Sequence, residues 1–97
     1  MPYVYILRCR DNSYYVGSTK ELERRLAEHQ AGVGAEYTRH RLPVELAWAL
    51  EMSRIDDAFA LEKRIQGWSR AKREALIQGR MADLPGLSVS RYRRESG

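Results

Sequence analysis

The sequence predicts an α+β fold in which a small three-stranded antiparallel sheet is flanked by helices, in the order ββαβαα. Two observations lead to this fold class. Residues 2–9 and 14–17 are rich in β-branched and aromatic side chains and are separated by the turn-forming stretch RDNS, which predicts a β-hairpin. Residues 53–67 repeat apolar side chains at helical spacing, which predicts a helix able to cover one face of that sheet.

The register of the hairpin decides which tyrosines share a face. A two-residue turn places Tyr5 and Tyr15 on opposite faces of the sheet. A three-residue loop pairs Arg10 with Tyr14 and brings Tyr5 and Tyr15 to the same face. We expect the second register.

The first helix follows the hairpin directly. Ser18, with Glu21 three residues later, forms a capping-box pattern, although Thr19 is an alternative cap. The helix is expected to continue to about Ala31, where the glycines of residues 32–34 end it.

A loop and the third strand come next. Residues 32–43 contain glycine, three basic side chains and Tyr37, so they are expected to form a loop. Residues 44–52, VELAWALEM, read as a strand, although their alanine and leucine content also suits a helix.

Two helices complete the predicted domain. Ser53 and Asp56 resemble a second capping box, and the apolar stripe of the following helix is expected to include Phe59. Gly67 is expected to end this helix, and Ser69 to cap a short third helix over residues 70–78. Residues 1–80 are therefore expected to form one domain, followed by a basic, partly ordered tail at 81–97.

Composition excludes several classes of protein. With 43% hydrophobic and 31% charged residues, the chain is typical of a globular domain, and no apolar run approaches the roughly 18 residues of a membrane span. Strand-like sequence begins at Pro2, so we expect no signal peptide, a cytoplasmic location and no membrane partner. Cys9 is the single cysteine and is expected to be a reduced, buried thiol.

The basic residues are biased towards arginine. Fourteen of the 17 basic residues are arginine and three are lysine. Arginine binds phosphate through a planar fork, so the bias favours a phosphate-bearing partner such as nucleic acid. A genomic preference for arginine codons explains the same bias, and composition alone does not separate the two explanations.

Charged residues occupy apolar faces of two predicted helices. Arg25 and His29 lie on the same side of the first helix as Leu22 and Leu26, and Glu62 lies on the apolar face of the second. Charge in a buried stripe is costly unless it has a partner. A structural ion pair between Arg25 and Glu62 is one explanation, and a shared functional site is the other.

Two tripeptides of the hairpin carry a family resemblance. YVY at 3–5 and YVG at 15–17, followed by ELERRLAEH and a later helical glutamate, resemble the GIY-YIG nuclease superfamily, in particular its small standalone bacterial members. The resemblance covers roughly residues 2–79. This chain departs from the family pattern at Tyr3, where the family name has glycine, and at Ser18, where some members have lysine.

The resemblance implies a role for particular residues. The expected catalytic residues are Tyr5, Tyr15, Arg25 and His29. Glu62 is expected to bind a divalent cation, Mg²⁺ or Mn²⁺, and Arg25 to neutralise the phosphate. Either tyrosine could serve as the base that accepts the proton of water, with Arg25 and the metal favouring the phenolate. His29 could relay a proton or hold a phosphate oxygen.

Contacts with nucleic acid are expected from the loop and the last helix. The candidate residues are Tyr37, Arg39, Arg41, Arg70 and Lys72. The ring of Tyr37 is expected to stack on an unpaired base, and the cations to contact phosphate.

The function expected from these features is metal-dependent hydrolysis of phosphodiester bonds in branched, nicked or distorted DNA, the substrates of DNA repair. A domain of this size offers little surface for reading a long sequence, so DNA shape or a protein partner would supply specificity. Two alternatives stay open: a nucleic-acid-binding module with little or no catalytic activity, and a protein-binding adaptor whose polar cluster serves structure only.

Overall fold

The computed structural model describes residues 1–79, which contain three strands and four helices. The elements are β1 Tyr3–Arg8, β2 Tyr14–Thr19, α1 Leu22–Gln30, α2 Glu36–Arg39, β3 Glu45–Glu51, α3 Ile55–Gln66 and α4 Arg70–Ile77. The fold class is confirmed, and α2 is added to the predicted order. Residues 1–67 form one compact unit, and a second unit begins at Trp68. The predicted tail at 81–97 lies outside the described residues.

The sheet is antiparallel with strand order β2-β1-β3. Tyr5 pairs with Gly17, and Leu7 pairs with Tyr15. Successive side chains of a strand alternate between faces, so Tyr5, Leu7 and Tyr15 share one face. The prediction that Tyr5 and Tyr15 lie on the same face is confirmed.

The predicted hairpin register itself is wrong. Tyr14 pairs with Arg8 and not with Arg10, so the loop is longer than expected and spans residues 9–13. Asn12 adopts a left-handed backbone with φ of 69°, and the Cys9 amide donates to the Ser13 carbonyl at 2.8 Å. Because the observed register differs from the expected one by an even number of residues, the faces of the tyrosines are unchanged.

One face of the sheet carries a buried cluster that also positions α1. The cluster consists of Tyr5, Leu7, Cys9 and Val44, with partly buried neighbours that include Leu22 and Leu26. Cys9 is 2% exposed and free, as predicted, and burial raises the pKa of its thiol.

The opposite face is left for α3, which contacts β1 and β2. The buried strand residues of this face are Val4, Ile6 and Val16, and those of α3 are Ala58, Leu61 and Ile65. Phe59 is 52% exposed, so its predicted place in the apolar stripe is wrong. A helix turns about 100° per residue. The residue after Ala58 is therefore directed away from the sheet.

The predicted serine caps of the first two helices are wrong. Strand β2 continues through Thr19, and α1 begins at Leu22 without a side-chain cap. Helix α3 begins at Ile55, one residue later than a Ser53 cap requires, and it also lacks a side-chain cap. The Ser69 cap of α4 is confirmed, because its side chain accepts from the Lys72 amide at 3.2 Å.

The predicted loop at 32–43 contains the short helix α2. The Arg39 amide and the Thr38 hydroxyl both donate to the Ala35 carbonyl, each at 3.0 Å. Four helical residues are too few to show an apolar period, so no periodic pattern in the sequence indicates this helix. Strand β3 lies within one residue of its predicted bounds. None of the helices within residues 1–79 has the length and apolar character that crossing a membrane demands.

Candidate active site

Three aromatic rings from three elements meet on the α1 side of the sheet. The ring centroids of Tyr5 and Tyr15 are 6.4 Å apart, and the His29 ring lies 5.8 Å from Tyr5 and 5.3 Å from Tyr15. Tyr5 comes from β1, Tyr15 from β2 and His29 from the last turn of α1. Leu22 and Leu26 pack on the Tyr5 cluster, which turns the His29 side of α1 towards the phenols.

Solvent exposure divides the five residues expected to form the site into a buried inner pair, Tyr5 and His29, and a partly exposed outer set, Tyr15, Arg25 and Glu62. Tyr5 is 1% exposed and His29 is fully buried. Tyr15, Glu62 and Arg25 are partly exposed, and 33% of the Arg25 side chain reaches solvent. A charged substrate can therefore reach the outer set, whereas the inner pair is shielded from bulk water.

Both ring nitrogens of His29 have buried partners. The Tyr5 hydroxyl lies 2.9 Å from Nε2, and the Thr38 hydroxyl lies 2.8 Å from Nδ1. Burial lowers the pKa of His29, and the nearby Arg25 charge lowers it further. The imidazole is therefore neutral at pH 7. One of its two nitrogens carries no proton and can accept one.

The phenols are protonated in the resting site. Burial raises the pKa of Tyr5 to about 12 and also raises the pKa of Tyr15. Arg25 lowers both pKa values, as expected, but burial outweighs it, and the Glu62 charge raises both. The expected effect of Arg25 on the two phenols is confirmed, but desolvation, which disfavours the charged form, keeps both pKa values above their ordinary value.

Two glycines leave room for this arrangement. A Cβ atom at Gly17 would lie 2.6 Å from the Tyr5 hydroxyl oxygen and 2.8 Å from its Cζ atom. A Cβ atom at Gly34 would lie 2.5 Å from Nδ1 of His29. Both distances are shorter than real Cβ contacts, so any side chain at Gly17 or Gly34 must displace the buried pair.

The Glu62 carboxylate is held by hydrogen bonds from β2 and from its own helix. The Ser18 hydroxyl donates to Oε1 of Glu62 at 2.6 Å, and Nε2 of Gln66 donates to Oε2 at 2.9 Å. Ser18 follows Gly17, which lies against the Tyr5 hydroxyl, but strand alternation directs Ser18 to the α3 side. The carboxylate thus lies on the α3 side of the edge strand β2, close enough for its charge to raise the pKa of Tyr5 and Tyr15.

The ion pair considered between Arg25 and Glu62 is not formed within residues 1–79. The Arg25 guanidinium instead pairs with Glu28 at 2.9 Å, one turn along α1. Glu62 has neutral hydrogen-bond donors and no cationic side chain within ion-pair distance among the described residues. Its charge is therefore available to a cation from solution.

Comparison with known proteins identifies the family to which these residues belong. The family model described as the GIY-YIG catalytic domain matches residues 1–75, which include all five members of the group. The chain belongs to the GIY-YIG family. Its fold is thus of the type found in the GIY-YIG nuclease superfamily, as the sequence predicted.

Relatives of similar size are UPF0213 proteins. One from Halobacterium salinarum is 46% identical over 79% of this chain and 100% of its own length. One from Vibrio cholerae is 40% identical over 90% of this chain and 86% of its own length. A solution NMR structure of a UPF0213 protein from Bacillus halodurans has a TM-score of 0.53 and 39% identity, covering 80% of this chain and 84% of that one. These names state no activity.

The GIY-YIG site offers one carboxylate to a metal ion. No group of three or more histidine, cysteine, aspartate or glutamate side chains within residues 1–79 is placed to hold a metal. Mg²⁺ commonly binds one or two carboxylates and takes its remaining ligands from water and substrate phosphate. Glu62, oriented by Ser18 and Gln66 and without a cationic partner in that range, fits this mode of binding.

Tyr37 and Arg41 lie beside the GIY-YIG site and contact each other. The Arg41 guanidinium carbon lies 3.8 Å from the Tyr37 ring centroid, and the Tyr15 ring lies 6.1 Å from that of Tyr37 at 26°. Arg41 also donates to Asp11 at 3.1 Å. A base that stacks on the Tyr37 ring face covered by Arg41 must displace this guanidinium. The role of Tyr37 and Arg41 as DNA contacts stays a prediction.

The other predicted DNA contacts are Arg39, Arg70 and Lys72. Arg39 is on the exposed side of α2, 3.9 Å from Glu36. Arg70 pairs with Glu74 at 2.9 Å, and the Lys72 ammonium lies 5.8 Å from the Trp68 ring centroid. Arg70 and Lys72 belong to the second unit, and their role stays a prediction.

Sequence reasoning missed two residues of the site. Thr38 lies nine positions after His29, beyond any helical period that would connect the two. Ser18 was interpreted as a helix cap, whereas its hydroxyl binds Glu62. Neither contact has a local sequence signal, because each joins elements brought together only by folding.

Proposed function

We propose that this chain is a divalent-metal-dependent endonuclease that hydrolyses phosphodiester bonds in branched, nicked or distorted DNA. The observation that carries the proposal is the buried hydrogen bond of 2.9 Å between the Tyr5 hydroxyl and His29, with Arg25 and Glu62 beside it. The pair supplies a proton acceptor, the guanidinium supplies positive charge for phosphate, and the carboxylate supplies a metal ligand.

Tyr5 and His29 would accept the proton of water together, because neither is an adequate base alone. Tyr5, with a pKa raised to about 12, is a poor base by itself, and the fully buried His29 has little access to water. When Tyr5 takes a proton from water, it can pass its own proton to Nε2 of His29. The tyrosine thus never needs to become a free phenolate.

The remaining steps use the outer residues. The oxygen of the deprotonated water bonds to phosphorus, the bond from phosphorus to the leaving sugar oxygen breaks, and that oxygen takes a proton from solvent. Arg25 would bind the nonbridging oxygens, whose negative charge grows in the transition state. A metal ion held by Glu62 would add Lewis-acid stabilisation of the same charge.

The test is cleavage of a panel of labelled DNAs with Mg²⁺ or Mn²⁺. The panel contains intact, nicked, flapped and four-way duplexes, together with an RNA of the same sequence. We expect products from the branched or nicked DNAs, and their loss in Glu62→Gln and Arg25→Ala. Arg24→Ala is the matched control, because Arg24 is on the same helix and pairs with the same Glu28, yet its side chain is 73% exposed.

Cleavage that persists in Glu62→Gln and Arg25→Ala would be the work of a contaminating nuclease and would contradict the proposal. Equal cleavage of intact duplex would contradict the preference for distorted DNA. Faster cleavage of the RNA than of the DNAs would show that RNA, and not DNA, is the substrate.

A second candidate function is DNA binding without hydrolysis. It is favoured by the burial of Tyr5 to 1% exposure, which restricts the approach of water to the phenol. This function predicts a complex with the same DNAs that weakens as salt rises, without products. The absence of both complex and products at low salt would favour the protein-binding alternative.

A further inference from the structure

Thr38 and His29 form a buried polar pair outside the set of residues expected from the sequence. Both are fully buried, and they are the polar residues in the buried core of the described chain. The Thr38 hydroxyl lies 2.8 Å from Nδ1 of His29 and 3.0 Å from the Ala35 carbonyl oxygen. A chain of contacts therefore runs from the Tyr5 hydroxyl through the imidazole to the backbone of α2.

The number of protons available shows which group donates in each of these hydrogen bonds. A hydroxyl has one proton to donate, and a carbonyl oxygen can only accept. If Thr38 donates to Ala35, Nδ1 of His29 must carry the proton that Thr38 accepts. Nε2 is then without a proton and accepts from Tyr5, so all three contacts are hydrogen bonds.

The alternative, in which Thr38 donates to His29, has one hydrogen bond fewer. If Thr38 donates to Nδ1, the Ala35 carbonyl loses its bond from the Thr38 hydroxyl, and Nε2 carries a proton towards Tyr5. One buried hydrogen bond fewer disfavours this arrangement by about fivefold. In it, His29 cannot accept a proton from Tyr5.

We propose that Thr38 is a positioning residue that holds His29 as the Nδ1-protonated tautomer, with Nε2 ready to accept the Tyr5 proton. Its consequence for catalysis rests on the proposed function, whereas the tautomer itself does not. Gly34 supports the same geometry, because its Cα packs so closely on the imidazole that a Cβ atom there would lie 2.9 Å from Cγ of His29. The ring is thus held in place while Thr38 selects its protonation.

The charged and titratable groups around the imidazole act on its charge but do not select its tautomer. The Arg25 charge lowers the pKa of His29 and the Glu28 carboxylate raises it, both from α1. Tyr5 and Tyr15 face the ring from the sheet. From α2, the group in contact is the Thr38 hydroxyl, which does not titrate in the physiological range.

The tautomer is measured by ¹⁵N NMR of the histidine side chain in the full chain, without DNA or metal. A ring nitrogen without a proton resonates far from one that carries a proton, so the spectrum assigns the tautomer of His29 directly. We expect a protonated Nδ1 and an unprotonated Nε2 at pH 7 in the wild type. A wild-type spectrum with the proton on Nε2 would overturn the proposal before any variant is made.

Two variants separate positioning from packing. Thr38→Val preserves the branched shape but removes the hydroxyl, and we expect a shift of at least fivefold towards the Nε2-protonated tautomer. Thr38→Ser restores the hydroxyl and should restore the wild-type spectrum despite the lost methyl group. An unchanged tautomer in Thr38→Val would refute the role of Thr38, and if that variant does not fold, a wild-type tautomer in Thr38→Ser supports the role while an altered one contradicts it.

The activity of the same variants tests the link to catalysis. We expect Thr38→Val to lower kcat by about 10- to 100-fold with little change in KM, the range found when the hydrogen-bond partner that orients a metal-binding histidine is removed. Thr38→Ser should recover most of the loss. A wild type that shows the expected tautomer but cleaves no DNA would contradict the proposed function and leave the tautomer assignment standing, whereas active enzyme with an unaffected Thr38→Val would contradict the positioning role alone.

Discussion

Replacing Gly17 with alanine tests whether a bare backbone at the end of β2 is what allows the Tyr5 and His29 pair to form. The added Cβ atom would lie 2.6 Å from the Tyr5 hydroxyl oxygen, and ordinary contact begins at 3.4 Å. The phenol or the strand must therefore move by about 0.8 Å. Tyr5 is 1% exposed and its ring is also contacted through Cζ, so it has little free space into which it can move.

The size of the effect follows from that overlap. Overpacking a buried site costs about 1–3 kcal/mol. In a domain of this size each kcal/mol lowers Tm by about 4–8 °C, so Gly17→Ala should unfold roughly 5–20 °C below the wild type. A shift of about 0.8 Å at the Tyr5 hydroxyl is large beside its 2.9 Å hydrogen bond to His29, so the geometry of that bond should be distorted. Nuclease activity should therefore fall more than the loss of stability alone explains.

Thermal unfolding followed by circular dichroism measures the first effect, and cleavage at a temperature where both proteins are folded measures the second. Gly67→Ala is the matched control. Its Cβ atom would lie 3.6 Å from the nearest atom, the Arg64 carbonyl oxygen, and Gly67 has φ of −86°, which alanine adopts without strain. We expect Gly67→Ala to leave Tm unchanged or to raise it slightly. Equal Tm and equal activity for Gly17→Ala and the wild type would show that the site does not depend on this close approach.

Three further predictions concern protonation, metal binding and DNA contact. Burial lowers the pKa of His29 below its ordinary value of 6.5, so the unfolded chain binds more protons than the folded one once the pH falls below about 6.5. The free energy of unfolding in urea titrations should therefore decrease as the pH falls below that value. Ser18→Ala removes a hydrogen bond to the Glu62 carboxylate. The Mn²⁺ concentration for half-maximal binding, measured by electron paramagnetic resonance, should rise by about tenfold. Arg39→Ala should weaken DNA binding to every sequence and reduce the slope of log affinity against log salt by about 1.

Two of these predictions have a control variant within the chain, and each has a result that would contradict it. His40 is exposed, so His40→Ala should keep the acid sensitivity, whereas His29→Asn should lose it; acid sensitivity retained in His29→Asn would assign the effect elsewhere. Thr19→Ala changes the next hydroxyl of β2, which accepts from the Glu21 amide at 3.0 Å, and should leave Mn²⁺ affinity unchanged. An unaltered salt slope in Arg39→Ala would remove that arginine from the DNA interface.

Parts of the site were predictable because they depend on local patterns. The alternation of the hairpin places Tyr5 and Tyr15 on one face for any register of the same parity, so a wrong loop length did no harm to that prediction. The helical period likewise directs His29 to the side of Leu22 and Leu26. The error at Phe59 arose because an apolar side chain was assumed to face inwards, although large apolar residues are often exposed.

The sequence by itself determined the α+β fold, the element order apart from α2, the shared face of the two phenols and the membership of the GIY-YIG family, since each depends on short-range period or on residues at fixed spacing. Only the tertiary structure decided that Arg25 pairs with Glu28, that Ser18 holds Glu62 and that Thr38 binds His29. The contacts of Ser18 and Thr38 join separate elements, so these partners depend on where packing places each side chain. Helical spacing allows the pair of Arg25 with Glu28, but only packing decides that Glu62 is not its partner. The pKa of Tyr5 is decided in the same way, because burial, which no local pattern measures, outweighs the charge of its neighbour Arg25.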